Sequence, residues 1–253
     1  MEEKALTAKK SGFSMLLLCF IVFASGAALF VYAIGHLERG ETALGGFLLV
    51  VTILGYIAGL IALAGFKVLK PQEALVLTLF GQYAGTLREP GFYWVCPFCT
   101  AVNPAAGTKL SQSGDVDGGA KAAAQAQAQP SSKKISLKMM TLNNSRQKIN
   151  DCLGNPVEIG IAVIWRVTDT AKAVFNVDNY KEYLSLQCDS ALRNVVRIYP
   201  YDVAPNVDTT GDGVADEGSL RGSSEIVAKR IQDEIQSKVA DAGIEIVEAR
   251  ITY

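Results

Sequence analysis

An α+β fold carried on an N-terminal transmembrane helical hairpin is predicted for this chain, and three observations predict it. Two long apolar runs, Phe13–Gly35 and Ala43–Phe66, open the sequence. One later segment, Val157–Val167, alternates with the period of a half-buried strand. Two amphipathic helical patterns follow it, at about Asn179–Ile198 and Ser223–Ala242, and lead into a last alternating stretch, Ile244–Tyr253. Strands first, then helices, then a returning strand is the order of a mixed α+β domain.

The apolar runs read FSMLLLCFIVFASGAALFVYAIG and ALGGFLLVVTILGYIAGLIALAGF, with no charged residue in either. A helix rises about 1.5 Å per residue, so about 20 apolar residues cross a hydrocarbon core. Only His36–Thr42 separates the runs, which makes the two helices antiparallel neighbours. Gly55 and Gly59, and Ala24 with Ala28, have the four-residue spacing that brings membrane helices close. The first run is too long for the apolar part of a signal peptide, and a second span follows at once, so a retained anchor is expected. Lys4, Lys9 and Lys10 precede the first run and Lys67 and Lys70 follow the second, whereas the short loop holds Arg39 balanced by Glu38 and Glu41. Positive flanks stay inside, which places the remainder of the chain on the cytoplasmic face of the cell membrane. The expected organisation is therefore a cytoplasmic tail at 1–12, a hairpin at 13–66, and one domain over 67–253.

The 253 residues carry a net charge of −1, without the basic stripe of a nucleic-acid-binding domain, so no nucleic-acid partner is expected. Five cysteines are an odd number for a disulfide framework, and a cytoplasmic domain keeps its thiols reduced. Cys96 and Cys99 form a CxxC in the context CPFC. Such a pair suits a redox site or half of a zinc site. There is no second CxxC, however, and the lone histidine, His36, falls on the far side of the membrane.

Past the hairpin, Glu73–Phe80 has the length and apolar content of a strand, and Phe92–Val95 reads as a short aromatic one close to the membrane. Thr100–Ser132 is almost free of large apolar residues and is expected to be a flexible, low-complexity surface insertion. Ile135–Leu142 and Ser145–Asp151 read as strands joined at Asn143-Asn144, and Asp151–Asn155 as a turn. In Val157–Val167 the buried face is Val157, Ile159, Ile161, Val163, Trp165 and Val167. The first amphipathic helix opens with Asn179 three residues before Glu182, and buries Tyr180, Leu184, Cys188, Ala191, Val195 and Ile198. The second has Ser223 at its N-cap, Gly243 just past its end, and the stripe Val227, Ile231, Ile235, Val239. Glu225, Lys229, Asp233, Glu234 and Lys238 form its solvent face. In the last strand Val247, Ala249, Ile251 and Tyr253 alternate with Glu248, Arg250 and Thr252.

Little here has the pattern of chemistry. Asp208, Thr210, Asp212 and Asp216 match parts of an EF-hand loop, but Ser219 stands where the bidentate glutamate is required. That stretch reads as an acidic connection between helices. With its single histidine in the hairpin loop, the domain has no Ser-His or Cys-His pair. No glycine-rich segment has the strand–loop–helix context of a phosphate loop. No catalytic, cofactor-binding or metal-binding residue is expected.

The stretch GFKVLKPQEALVLTLFGQYAGTLREPGFYWVCPF (Gly65–Phe98) resembles the opening of the stomatin–prohibitin–flotillin–HflK/C (SPFH, or band-seven) domain. Lys148–Tyr180, Ser190–Asp202 and Leu220–Tyr253 resemble later parts of that domain in the same order, and the two-span anchor resembles its bacterial branch. The resemblance implies a non-enzymatic membrane scaffold that self-associates laterally into rings or cages. It also implies roles in organising membrane microdomains or regulating membrane proteins such as proteases. Relatives continue past the strand resembling EARITY into a coiled coil that drives assembly; the sequence here stops at Tyr253, so either it is a piece of a longer chain or assembly rests on the globular domain alone. The alternative is a membrane-anchored redox or metal module using Cys96 and Cys99.

Overall fold

The two apolar runs become helices α1 (Gly12–Glu38) and α2 (Thr42–Leu63) in the computed structural model, which describes residues 3–6, 12–108, 110, 132–201, 219–220 and 223–252. At 27 and 22 residues they are long and apolar enough to cross a membrane. The second helix ends three residues earlier than its apolar run, because Phe66 opens a strand. The described chain divides into two compact units, Lys4–Ala101 and Met1–Glu3 with Val102–Tyr253.

In the first unit the seam between the helices is built from small residues set against rings. A Cβ on Gly59 would lie 2.9 Å from the Phe23 ring, and one on Gly26 would lie 3.3 Å from Tyr56. Gly45 approaches Leu37 equally closely, and Ala33 is fully buried. Ala24 and Ala28 are exposed, and nothing lies near Gly55, so of the predicted contacts only Gly59 holds. Residues 19, 23, 26, 33 and 37 follow the alternating three-and-four spacing of a left-handed helix pair. The predicted four-residue spacing belongs to a different crossing.

After α2 come β1 (Phe66–Leu69), β2 (Glu73–Leu79), β3 (Gln82–Leu87), β4 (Gly91–Trp94) and β5 (Cys99–Ala101). β1 pairs antiparallel with β4, while β2 lies between β3 and β5. Leu69, Leu75, Leu77, Leu87, Tyr93 and Val95 form the core of this unit. Beside that core, Lys4–Leu6 bonds along β3 through the Thr86 backbone, so part of the predicted N-terminal tail is docked.

The second unit begins with a 3₁₀ turn at Pro104–Gly107 and a short strand β6 (Ile135–Ser136). The tract expected to be flexible from Thr100 is thus structured through Thr108. Asn179 and Lys181 both donate to Thr108, each at 2.7 Å. Strands β7 (Met140–Asn150), β8 (Pro156–Val167) and β9 (Ile244–Thr252) form one antiparallel sheet with β8 in the middle. All six residues predicted for the inner face of β8 are buried.

β7 corrects one prediction. Asn143-Asn144 is no turn but lies inside a continuous strand, paired with Ala162 and Ile161. The Asn144 side-chain Nδ2 donates to Asp189 Oδ1 at 2.7 Å and to the Ser185 carbonyl, so it is held as a strand residue from outside its own segment. The irregularity comes after it, between Asn144 and Gln147.

A short helix that the sequence pattern did not reveal, α3 (Thr170–Phe175), follows β8 and is capped by Asp169. Helix α4 (Tyr180–Val196) has the predicted Asn179 cap, whose side chain accepts from the Lys181 and Glu182 amides. Helix α5 (Ser224–Val239) buries the predicted stripe and ends through a 3₁₀ turn at Gly243. Ser223 occupies the N-cap position without a side-chain hydrogen bond to the first turn. Gly243 has φ +65°, and a Cβ there would collide with the Asp169 carbonyl, so glycine is required. Its own carbonyl accepts from the Thr168 and Asp169 amides, which joins the end of β8 to the start of β9.

β9 departs from simple alternation. Ile244, Ile246 and Ala249 are buried, whereas Val247 is exposed. A register shift opposite Ile164 and Trp165 inserts one extra residue there and switches the inward phase.

Candidate functional site

The residues that carry the hairpin into the first β-unit form a closely bonded joint. A helix C-terminus leaves carbonyls without intrahelical partners. At the end of α2 the Trp94 indole donates to the Ala62 carbonyl at 2.9 Å, and the Val95 amide donates to the Gly65 carbonyl at 3.0 Å. A Cβ at Gly65 would strike the Val95 carbonyl and lie 2.8 Å from Trp94 Nε1. The other end of the hairpin arrives at the same ribbon. Gly12, first residue of α1, is buried with its missing Cβ position 2.6 Å from the Phe92 ring. Phe66 and Phe92 stack across the ribbon at 5.2 Å. Aromatic residues gather where a span meets the membrane–water interface, and β1 and β4 supply three of them here.

Close by in sequence, the cysteine pair sits in a tight turn. The Cys99 amide donates to the Cys96 carbonyl at 2.9 Å, with Pro97 and Phe98 between them. Cys96 is exposed and Cys99 half-buried at the start of β5. Burial first, and then the neighbouring Cys96, push the Cys99 thiol above the usual cysteine range. Phe98 is exposed and stacks on Phe80 at 6.2 Å. Phe80 in turn has φ +48° and Gly81 φ +84°, the mirror-image two-residue turn of a hairpin between β2 and β3. Phenylalanine is an unusual residue for a left-handed position, and at 84% exposure it is not held there by burial in a core. By sequence pattern Phe80 falls at a strand end, since Phe-Gly is not a turn signal.

The remaining sequence candidates do not come together. Among the described residues, no group of three or more histidine, cysteine or acidic side chains is arranged to hold a metal ion. His36 Nδ1 lies 2.7 Å from Glu41 Oε2, which closes the loop between the hairpin helices. Of the residues assigned to the solvent face of α5, Asp233 pairs with Lys229. Glu234 accepts from Lys238 and from Asn194 of α4, so it helps fasten two helices together. Asp208, Asp212 and Asp216 lie outside the described residues.

A family model described as SPFH domain / Band 7 family matches residues 67–253. The chain belongs to the SPFH family. Comparison with curated proteins gives no match. SPFH proteins are in general non-enzymatic, membrane-associated scaffolds that oligomerise in membranes, and the two apolar helices here agree with membrane association. The matched SPFH region starts at Lys67, inside β1, so the ribbon that receives the hairpin is the first element of the domain.

At the far end of the SPFH domain, α5 guards the outer edge of β9. Gln236 Nε2 donates to the Ile244 carbonyl at 3.1 Å while its Oε1 accepts from the Ile246 amide at 2.7 Å. One side-chain amide thereby makes both bonds that a neighbouring strand would make. Gln232 donates to the carbonyls of Ile246 and Val247. Free strand edges invite pairing with other chains, and these glutamines block the first half of this one. Beyond them an open groove of about 570 Å³ runs between Ser224, Ala228, Gln232 and the segment Glu248–Ile251. The sequence pattern gave these glutamines no role, because polar residues beside an apolar stripe read as solvated.

Proposed function

We propose that this SPFH protein is a cytoplasm-facing scaffold of the cell membrane, anchored by α1 and α2, whose copies associate laterally to organise membrane microdomains or regulate membrane-protein partners such as proteases. One observation carries this reading: both ends of the hairpin are seated on the β1–β4 ribbon at the start of the SPFH domain, without a flexible tether. A ribbon held in this way keeps a fixed attitude to the two anchoring helices. Confinement to the membrane plane raises the effective concentration of neighbouring copies, so modest side-to-side contacts are enough for assembly. The excess of lysine on the outer flanks supports the cytoplasmic orientation.

Two measurements on the full chain test this. A membrane-impermeant maleimide should label exposed Cys96 in inside-out vesicles and leave it untouched in right-side-out ones; the reverse pattern overturns the orientation. Mass photometry of detergent-extracted protein, before and after cross-linking in the native membrane, should give multimers. Monomers under both conditions would remove the scaffold reading.

A further inference from the structure

The Cys96–Cys99 turn is left unused by the scaffold reading, and its geometry is that of a pair made to close. A turn with an i to i+3 hydrogen bond holds its end Cα atoms within about 7 Å, and disulfides form across Cα separations of about 4.4–6.8 Å. The backbone bond from Cys99 to Cys96 places the two residues in that arrangement. Pro97 takes the second position of the turn, where its fixed φ restricts the open alternatives. One end is anchored as well, since Cys99 pairs with Leu79 in the sheet and packs on the core of the unit.

We propose that Cys96 and Cys99 are a reversible dithiol–disulfide site on the anchored SPFH protein, oxidised by low-molecular-weight disulfides such as oxidised glutathione and restored by the corresponding thiol.

The two sulfurs have different tasks. Cys96 is exposed and meets the oxidant, whereas Cys99 is half-buried beside it, with a thiol that burial keeps protonated to higher pH. The Cys96 thiolate attacks the glutathione disulfide; that S–S bond breaks, one glutathione thiolate leaves, and a mixed disulfide forms on Cys96. The Cys99 thiolate then attacks the Cys96 sulfur and expels the second glutathione. Two electrons pass from the cysteine pair to the oxidant, and the two thiol protons end on the two glutathiones. The other described cysteines are less suited. Cys19 and Cys188 are buried, with the Cys188 thiol pushed up to about 12, and burial and Asp151 raise that of Cys152. Phe98 lies inside the ring that would close, stacked on Phe80, so the change is felt at the most exposed aromatic surface of the β-unit.

The test uses the full chain in detergent, equilibrated in buffers running from reduced to oxidised glutathione, then acid-quenched, alkylated and mapped by mass spectrometry. The expected product is a peptide containing both cysteines, lighter by two hydrogens and free of alkyl groups, which disappears on return to reduced glutathione. Cys99→Ser should accumulate glutathione on Cys96, and Cys96→Ser should leave Cys99 alkylatable throughout. A stable glutathione adduct on Cys96 in the wild type overturns the proposal. So does complete alkylation of both cysteines at every buffer ratio, or a disulfide joining two copies. Protection of both thiols by added zinc under reducing conditions, with no disulfide on oxidation, would make the turn part of a metal site instead. The wild-type map needs no variant to fold, so each outcome can be read.

Discussion

Asp151 accepts four hydrogen bonds, and replacing it with asparagine separates charge from shape. It is buried in the loop between β7 and β8. Oδ1 accepts from the amides of Leu153 at 2.9 Å and Asn155 at 2.7 Å, while Oδ2 accepts from the Asn155 side chain and the Tyr201 amide, both at 3.1 Å. Burial alone would raise its pKa; the hydrogen bonds from Asn155, Tyr201 and Leu153 outweigh that and hold it below the usual carboxylate value. In Asp151→Asn one oxygen becomes an NH₂, so two donors face a donor. An orphaned donor costs about 1–3 kcal/mol when buried, and Asn155 and Tyr201 both reach solvent, so the low end applies to each. The expected loss is about 2 kcal/mol at pH 7, or about 4–8 °C in the midpoint for a chain of this size. The sign with pH follows from the depressed pKa. Stability from Asp151 is complete above the unfolded value of about 3.9 and is lost as pH falls through the folded one. The gap between wild type and variant should therefore close below about pH 4. Thermal unfolding followed by tryptophan fluorescence suits the purpose, because Trp165 is fully buried in β8 of the same sheet. Equal midpoints at pH 7, or a gap that widens in acid, would refute the reasoning.

Two further substitutions probe the joint and the sheet edge. Gly65→Ala places a methyl against the Val95 carbonyl and the Trp94 indole, an overpacking cost of about 1–3 kcal/mol. Faster hydrogen exchange at the Val95 amide is the expected sign, and wild-type protection there would mean that the hairpin does not rest on the ribbon through Gly65. Gln236→Ala removes both bonds that mimic a strand at Ile244 and Ile246. The expected result is rapid exchange at the Ile246 amide with a loss of about 1 kcal/mol, accompanied by concentration-dependent association as the edge opens. An Ile246 amide as slow as in the wild type would show that the edge is covered by something other than this side chain.

What could be read in advance was whatever repeats locally. The uncharged runs of α1 and α2, the inner face of β8, the Asn179 cap of α4 and the stripe of α5 are each written within one segment, where period and end signals act over a few residues. The SPFH motifs from Gly65 to Tyr253 were legible for a similar reason, as ordered strings of residues. The CPFC pair was also visible, but its spacing says nothing of the turn that brings Cys99 onto the Cys96 carbonyl.

Local sequence is thus enough for the class of this protein: two membrane-length helices and an α+β SPFH domain. Tertiary structure decided the rest. Phe66 looks like the tail of an apolar helix until Trp94 supplies the partner that makes it a strand. Asn143-Asn144 has the composition of a turn until Asp189 and the Ser185 carbonyl take the Asn144 side-chain NH₂. Val247 belongs by alternation to the inward face until the register against β8 slips by one residue and turns it outward. Ala24 and Ala28 have the spacing of a helix contact, yet the seam forms where Gly59 and Gly26 meet Phe23 and Tyr56. In each case the local preference is worth less than the hydrogen bonds and packing offered by a distant segment, and that segment's position is not encoded in the residues it overrules.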